Sequence, residues 1–221
     1  DTLPHGLSQT PDLIITKCLD ASSIDWIVKP VGLLSSESHM LILNGTNAEF
    51  QGSGGHISAQ TSTTVTLTEG SNDGNYNNTG NNYVMYAWHN VPGLQKFGTF
   101  TANNSTDGPY VELGFRPSIV WVKAASSAGD MTYASWLITD GERSPANVVS
   151  NGLFANKNAA EGKRGNGSDN YTGAWLDILS NGFKIRYTGT EVNGVSGQTY
   201  IYAAWAETPQ FNLYGGQSNA R

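Results

Sequence analysis

Cysteine is almost absent from this sequence. Cys18 stands alone among 221 residues, so no disulfide can form within the chain. It reads as a small apolar strand position rather than a reactive thiol. Charge is scarce too. Only 14% of residues are charged, and 12 Lys and Arg against 18 Asp and Glu leave a net charge of −6. There is no basic run and no basic-aromatic stripe, which argues against a nucleic acid partner. No apolar run approaches the ~20 residues that span a bilayer, so membrane insertion is not expected. No secretory leader opens the chain. It starts at Asp1 rather than Met, and a longer natural polypeptide is the expectation. Helical periodicity is missing as well: no long stretch shows apolar residues every three to four positions. What the chain has instead is 26 Gly, abundant Asn, Ser and Thr, and 10 Tyr with 6 Trp to fill thin cores.

The chain also repeats itself. "YVMYAWHNVPG" from Tyr83 returns as "YIYAAWAETPQ" from Tyr200, with the same spacing from Tyr to Trp. Followed backwards, "TPDLIITK" (10–17) matches "RPSIVWVK" (116–123), and "DWIV" (25–28) matches "SWLI" (135–138). "NGTNAE" (44–49) matches "NKNAAE" (156–161), and "VTL" (65–67) matches "FKI" (183–185). Each match alone is weak. Their collinear order indicates two copies of one module.

Short strand-like runs recur between turn residues. In the second copy they fall near 96–101, 109–113, 118–124, 135–139, 175–179, 182–187 and 199–206. "SNG" at 180–182 carries an Asn-Gly pair that suits a tight hairpin. The reading is all-β: two tandem antiparallel β-sandwich modules of jelly-roll type. Residues 1–93 form the first, 94–210 the second and 211–221 a C-terminal tail. The closing strand of each copy is apolar on both faces, which predicts burial on both sides. Trp88 and Trp205 read as equivalent, buried positions. The second copy opens with "KFGTFT", for which the first has no counterpart. A sandwich short of a strand exposes an edge. The strand is expected from upstream residues or from a neighbour.

Constellations that do chemistry are hard to find. There is no G-x-S-x-G elbow. "GSGG" at 52–55 lacks the Lys-Ser/Thr of a phosphate cradle. His5, His39, His56 and His89 have no metal-ligand spacing. A glycosidase needs two facing carboxyls. Asp177 and Glu207 are the candidates, and neither has a copy in the first module, so no enzyme activity is expected. No cofactor is expected either. The Asn- and Asp-rich segments 71–78 and 166–173 read as turns, with Ca²⁺ as the alternative. N-x-S/T triplets at Asn44, Asn77, Asn103, Asn104, Asn166 and Asn170 are what chance gives in so Asn- and Thr-rich a chain.

One loop stands out. "KNAAEGKRGNGSDNYTGAW" (157–175) is long, polar and aromatic, while the first copy has "QGSGGHISAQTSTT" with no aromatic there. A loop elaborated in one copy is where function is added. Arg164, Asp169, Asn170, Tyr171 and Trp175 are the candidate ligand-binding residues. Aromatic rings offer a stacking face to a sugar, and the polar groups offer hydroxyl partners.

"KFGTFTANNSTDGPYVELGFRPSIVWVK", "LSNGFKIR" and "NGVSGQTYIYAAWAETP" together resemble the repeated β-rich module at the C-terminal end of bacteriophage virion structural proteins, many of them marine and usually described as tail-fibre or receptor-binding proteins. "HGLSQTPDLIITK" and "YVMYAWHNVPGLQKFG" resemble the preceding copy in those proteins, and "NLYGGQSNAR" their C-terminus. The resemblance covers almost the whole chain and rests on structural strings. It implies a protein made in the host bacterial cytoplasm and assembled on the virion with other virion proteins, in contact with a host surface glycan. It also implies self-association as a homotrimer. A capsid-decorating or fibre-shaft role is the structural alternative, and a glycan depolymerase the enzymatic one.

Overall fold

The computed structural model of the protein describes residues 1–21, 23–51, 57–68, 77–161 and 174–209. The chain forms two compact units, Asp1–Asn90 and Val91–Arg221. Both are antiparallel β-sandwiches. Unit 1 contains β1 (Thr2–Pro4), β2 (Leu13–Cys18), β3 (Ile27–Pro30), β4 (His39–Ile42), β5 (Phe50–Gln51), β6 (Ile57–Gln60), β7 (Thr64–Leu67) and β8 (Tyr83–Trp88). Unit 2 contains β9 (Gln95–Thr101), β10 (Tyr110–Glu112), β11 (Pro117–Ala124), β12 (Leu137–Asp140), β13 (Leu153–Phe154), β14 (Leu176–Leu179), β15 (Gly182–Ile185) and β16 (Thr199–Ala206).

The strand orders of the units coincide. Unit 1 stacks a sheet β5-β4-β3-β2-β8 on a sheet β1-β7-β6. Unit 2 stacks β13-β12-β11-β16-β9 on β10-β15-β14. The shared part of the larger sheet is β4-β3-β2-β8 in one and β13-β12-β11-β16 in the other. Among the described residues β5 has no counterpart in unit 2, and β9 has none in unit 1.

The match extends to register. Leu13 faces Trp88 across β2 and β8, and Ile119 faces Trp205 across β11 and β16. Leu3 pairs with Val65, and Val111 with Phe183. The local chemistry repeats with it. The Trp26 amide donates to Asn44 Oδ1 at 2.9 Å, and the Trp136 amide to Asn156 Oδ1 at 3.0 Å. The two Asn amides then donate to Asp25 and to Ser135. Lys17 and Lys123 are equivalent too, but their Nζ groups donate to non-equivalent carbonyls, Ile24 at 2.6 Å and Ala124 at 2.7 Å. Gly6 and Gly114 both follow the first strand of the small sheet at positive φ, +72° and +82°, a conformation glycine adopts without strain.

β-branched and aromatic runs make these strands, and alternation decides which side chains enter the core. In unit 2 Val120, Val122, Tyr200, Tyr202 and Phe100 of the larger sheet meet Val111, Ile178, Phe183 and Ile185 of the smaller. Phe100 stacks on Tyr200 with ring centroids 5.3 Å apart. The Tyr200 hydroxyl accepts from the Gly194 amide and lies 2.8 Å from the Thr190 carbonyl, to which it donates. In unit 1, Ile14 of β2 packs on Ile57, Val65 and Leu67.

Three expectations need correction. The closing strands are not buried alike. Ile201 and Ala203 of β16 are 3% and 5% exposed, yet Tyr86 of β8 is 46% exposed. Trp88 and Trp205 are equivalent in register but only half-buried. Both lie on the face of β8 or β16 turned away from the sandwich core. The hairpin at 180–182 also forms differently. Leu179 pairs directly with Gly182, so Ser180 and Asn181 make the turn, and neither has positive φ. Gly182 instead serves a close approach: a Cβ there would lie 2.0 Å from the Val111 carbonyl oxygen.

Candidate functional site

Only one of the five sequence-predicted ligand residues falls in the described part of the chain. Arg164, Asp169, Asn170 and Tyr171 lie outside the described residues. Trp175 is described, and it is a core residue. Its side chain is fully buried and meets Phe154 and Tyr187 edge to face, with centroids 6.0 and 5.1 Å apart. Its amide donates to the Val149 carbonyl, and its carbonyl accepts from the Arg186 amide. A ring enclosed in this way has no face to give a sugar. The position precedes Leu176, which pairs with Ile185 over the core, so the tryptophan anchors the C-terminal end of the loop.

The structure brings a different group together, on the outer face of β10-β15-β14. Val111, Phe183, Ile185, Leu176 and Ile178 point into the core. The alternate residues therefore point out. In register, Tyr110 lies beside Lys184, and Lys184 beside Asp177. Tyr110 is 44% exposed. Arg186, just after β15, joins the same face: its Nε donates to Asp177 Oδ2 at 2.6 Å. Asp107 reaches in from the preceding loop, with Oδ1 at 2.8 Å from Lys184 Nζ and 3.7 Å from Arg186 Nη1. Two cations and two carboxylates thus form one connected network beside an exposed phenol ring.

The Asp107 loop is held by a buried amide. Asn193 Oδ1 accepts from the amides of Asn103 and Asn104, while Asn193 Nδ2 donates to Asn103 Oδ1 and the Ser105 carbonyl. Asn104 takes positive φ, +51°, which turns the chain toward Asp107. The Lys184 hydrogen bond and charge, aided by Arg186, hold the Asp107 carboxyl below the usual carboxylate range. The network itself is charge-balanced, two cations against two carboxylates. The ring supplies a stacking surface, and Lys184 and Asp107 supply a donor and an acceptor.

Sequence reasoning missed this face, although its signal was present. Tyr110 and Glu112 alternate with Val111 and Leu113, and Lys184 and Arg186 with Phe183 and Ile185. Among the described residues the sister sheet has nothing like it. There Thr2 pairs with Thr66, their hydroxyl oxygens 3.1 Å apart, and a register shift sets Ser58 and Ala59 opposite.

The two carboxylates that the sequence offers as a pair lie on different sheets of unit 2. Asp177 sits on the small sheet bound to Arg186, whereas Glu207 follows β16 of the large sheet. Glu207 borders a shallow groove of about 230 Å³ with Arg116, Ser118 and Glu142. The described histidines have local partners: His5 contacts the Thr61 carbonyl, His39 contacts Glu49, and His89 contacts the Asn90 carbonyl. Among the described residues no three His, Cys, Asp or Glu side chains gather as a metal site.

The fold and this face define a tandem β-sandwich protein in which one copy carries a decorated sheet. The chain belongs to the family described as Domain of unknown function (DUF7483), whose model matches residues 1–209. The match spans both units, so the family is defined on the pair rather than on one copy. No curated protein and no solved structure matches the chain.

Proposed function

We propose that this chain is a virion surface module, the distal part of a tail fibre, that contacts a host surface glycan through the outer face of β10-β15-β14. The observation that carries the reading is the contrast at one register: Tyr110, Lys184 and Asp177 in unit 2 against Thr2, Thr66 and Ala59 in unit 1. The scaffold is the same, so the fold does not require the difference. The resemblance to phage C-terminal modules supplies the virion setting and the trimer. Single sugar contacts are weak, and several copies on one particle make the second contact intramolecular. The 157–175 loop, with Arg164, Asp169, Asn170 and Tyr171, leads into β14 and belongs to the same proposal. Binding rather than catalysis is the activity in this reading, because both carboxylates of the network, Asp177 and Asp107, are engaged as ion-pair partners of Arg186 and Lys184.

The test is adsorption to host cells and binding to a glycan array, with Tyr110→Ala and Lys184→Ala beside the parent chain. Both side chains lie outside the core, so stability should stay within about 0.5 kcal/mol. Binding should fall by roughly tenfold or more, which is ~1.4 kcal/mol per factor of ten. Unchanged binding would remove this face from the reading. Release of reducing ends from host polysaccharide would replace binding with hydrolysis.

A further inference from the structure

We infer that β8 of unit 1 accepts an added antiparallel strand of the β9 type: an extended, uncharged or weakly basic segment that sets an aromatic side chain against Trp88. In unit 2, β9 pairs with β16 over seven residues, from Trp205 opposite Gln95 to Thr199 opposite Thr101. In unit 1, β8 ends the sheet, and among the described residues it pairs with β2 alone.

Register fixes which backbone groups meet the newcomer. The Ala102 amide donates to the Gln198 carbonyl and the Ala206 amide to the Leu94 carbonyl. In an antiparallel ladder this rank alternates, so Tyr200, Tyr202 and Ala204 turn their backbone groups toward β9. Their equivalents in β8 are Tyr83, Met85 and Ala87. On the other side, the Leu19 amide donates to the Asn82 carbonyl, which directs the Val84, Tyr86 and Trp88 backbone toward β2. Met85 and Ala87 therefore turn their peptide groups away from β2, to the side on which no described strand pairs with β8.

Side chains give the second line of support. In unit 2, Phe97 of β9 covers Trp205 edge to face, centroids 5.6 Å apart, and is itself 4% exposed. In unit 1, Tyr86 stacks on Trp88 of its own strand at 6.1 Å and is 46% exposed, where its equivalent Ala203 is 5% exposed. An aromatic at the Phe97 position of an added strand would cover this pair. The occupant need not carry a glycine. Gly98 is demanded by the Tyr202 side chain, whose hydroxyl would lie 2.6 Å from a Cβ at that position, and unit 1 has Met85 where unit 2 has Tyr202. Strand addition of this kind draws affinity from main-chain hydrogen bonds and specificity from alternate side chains.

The experiment titrates a synthetic peptide of residues 93–102 into the full chain and follows the amide resonances of Met85 and Ala87 and the tryptophan fluorescence. Saturable binding is expected, with both resonances shifted. The peptide with Phe97→Ser should bind at least about tenfold more weakly. Ala87→Pro should weaken binding as much while leaving the melting temperature nearly unchanged, since an edge strand tolerates proline at an outward amide. Tyr86→Lys, at an exposed side chain, is the second variant if proline disturbs the fold. No binding, or binding that survives both variants because the peptide exchanges into unit 2, overturns the inference. So does a dimer of the chain, paired through two β8 edges, that the peptide fails to dissociate.

Discussion

Replacing Trp175 with alanine separates a ligand residue from a core residue. The side chain is fully buried between Phe154 and Tyr187, in the cluster that also holds Leu176, Ile178 and Phe183. Truncating a buried Trp costs about 3–5 kcal/mol, from lost transfer energy and the cavity left behind. Two edge-to-face contacts are lost with it, each worth ~0.5–1.5 kcal/mol and partly included in that figure. At roughly 3 °C or more per kcal/mol for a unit of this size, the melting temperature should fall by about 10 °C or more. The assay is urea unfolding followed by circular dichroism, which does not depend on the removed fluorophore, together with calorimetry. A loss under about 1 kcal/mol would refute the reasoning and return Trp175 to the ligand-binding loop.

Two further outcomes are expected. Gly182→Ala places a methyl group 2.0 Å from the Val111 carbonyl oxygen, so β10 must move, and the cost should be about 1–3 kcal/mol or more by denaturation. Gly141→Ala is the control, because its nearest neighbour, Ile178 Cδ1, is 3.9 Å away. Stability should also follow pH in a defined way. Burial lowers the Lys123 ammonium from 10.5 to about 7, so above that pH the unfolded chain holds more protons than the folded one and stability rises with pH. Burial lowers Lys29 as well, which adds to the same limb. Burial raises the Tyr202 phenol from 10.0 to about 12 and pushes Tyr200 up too, so stability falls again as pH passes 10. Lys123→Met should flatten most of the rising limb and leave the falling one, read from melting temperatures between pH 6 and 11.

How far the sequence could be read depended on whether a feature was local. The duplication was legible because equivalent strands obey the same packing demand at the same place. "DWIV" and "SWLI" matched because Trp26 and Trp136 each give their amide to an Asn, and those two Asn residues lie in the matched "NGTNAE" and "NKNAAE" strings. Missed features depended on contacts from outside the segment. Alternation in "YVEL" says that two faces differ, and only the partner sheet says which faces water. Trp175 ended a polar loop and looked accessible, but its pairing neighbour Leu176 commits it to the core rim. Trp88 and Trp205 looked buried from their own strand, whereas their exposure is set by what lies beside the sheet edge. The ligand residues Arg164, Asp169, Asn170 and Tyr171 stay as sequence-based candidates.

The shared register carries a kinetic consequence. β8 satisfies β2 with the same offset that β16 satisfies β11, so each closing strand is a chemically passable partner for the other copy's acceptor. Tandem repeats are prone to such crossed assembly. Side-chain differences at the shared register discriminate between the right and wrong pairs: Tyr86 faces Ile15 where Ala203 faces Trp121, Met85 faces Thr16 where Tyr202 faces Val122, and Cys18 faces Tyr83 where Ala124 faces Tyr200. The order of synthesis adds a second safeguard. Residues 83–88 leave the ribosome before 117–124 do, so β2 has its own mate at hand before β11 exists to compete for it.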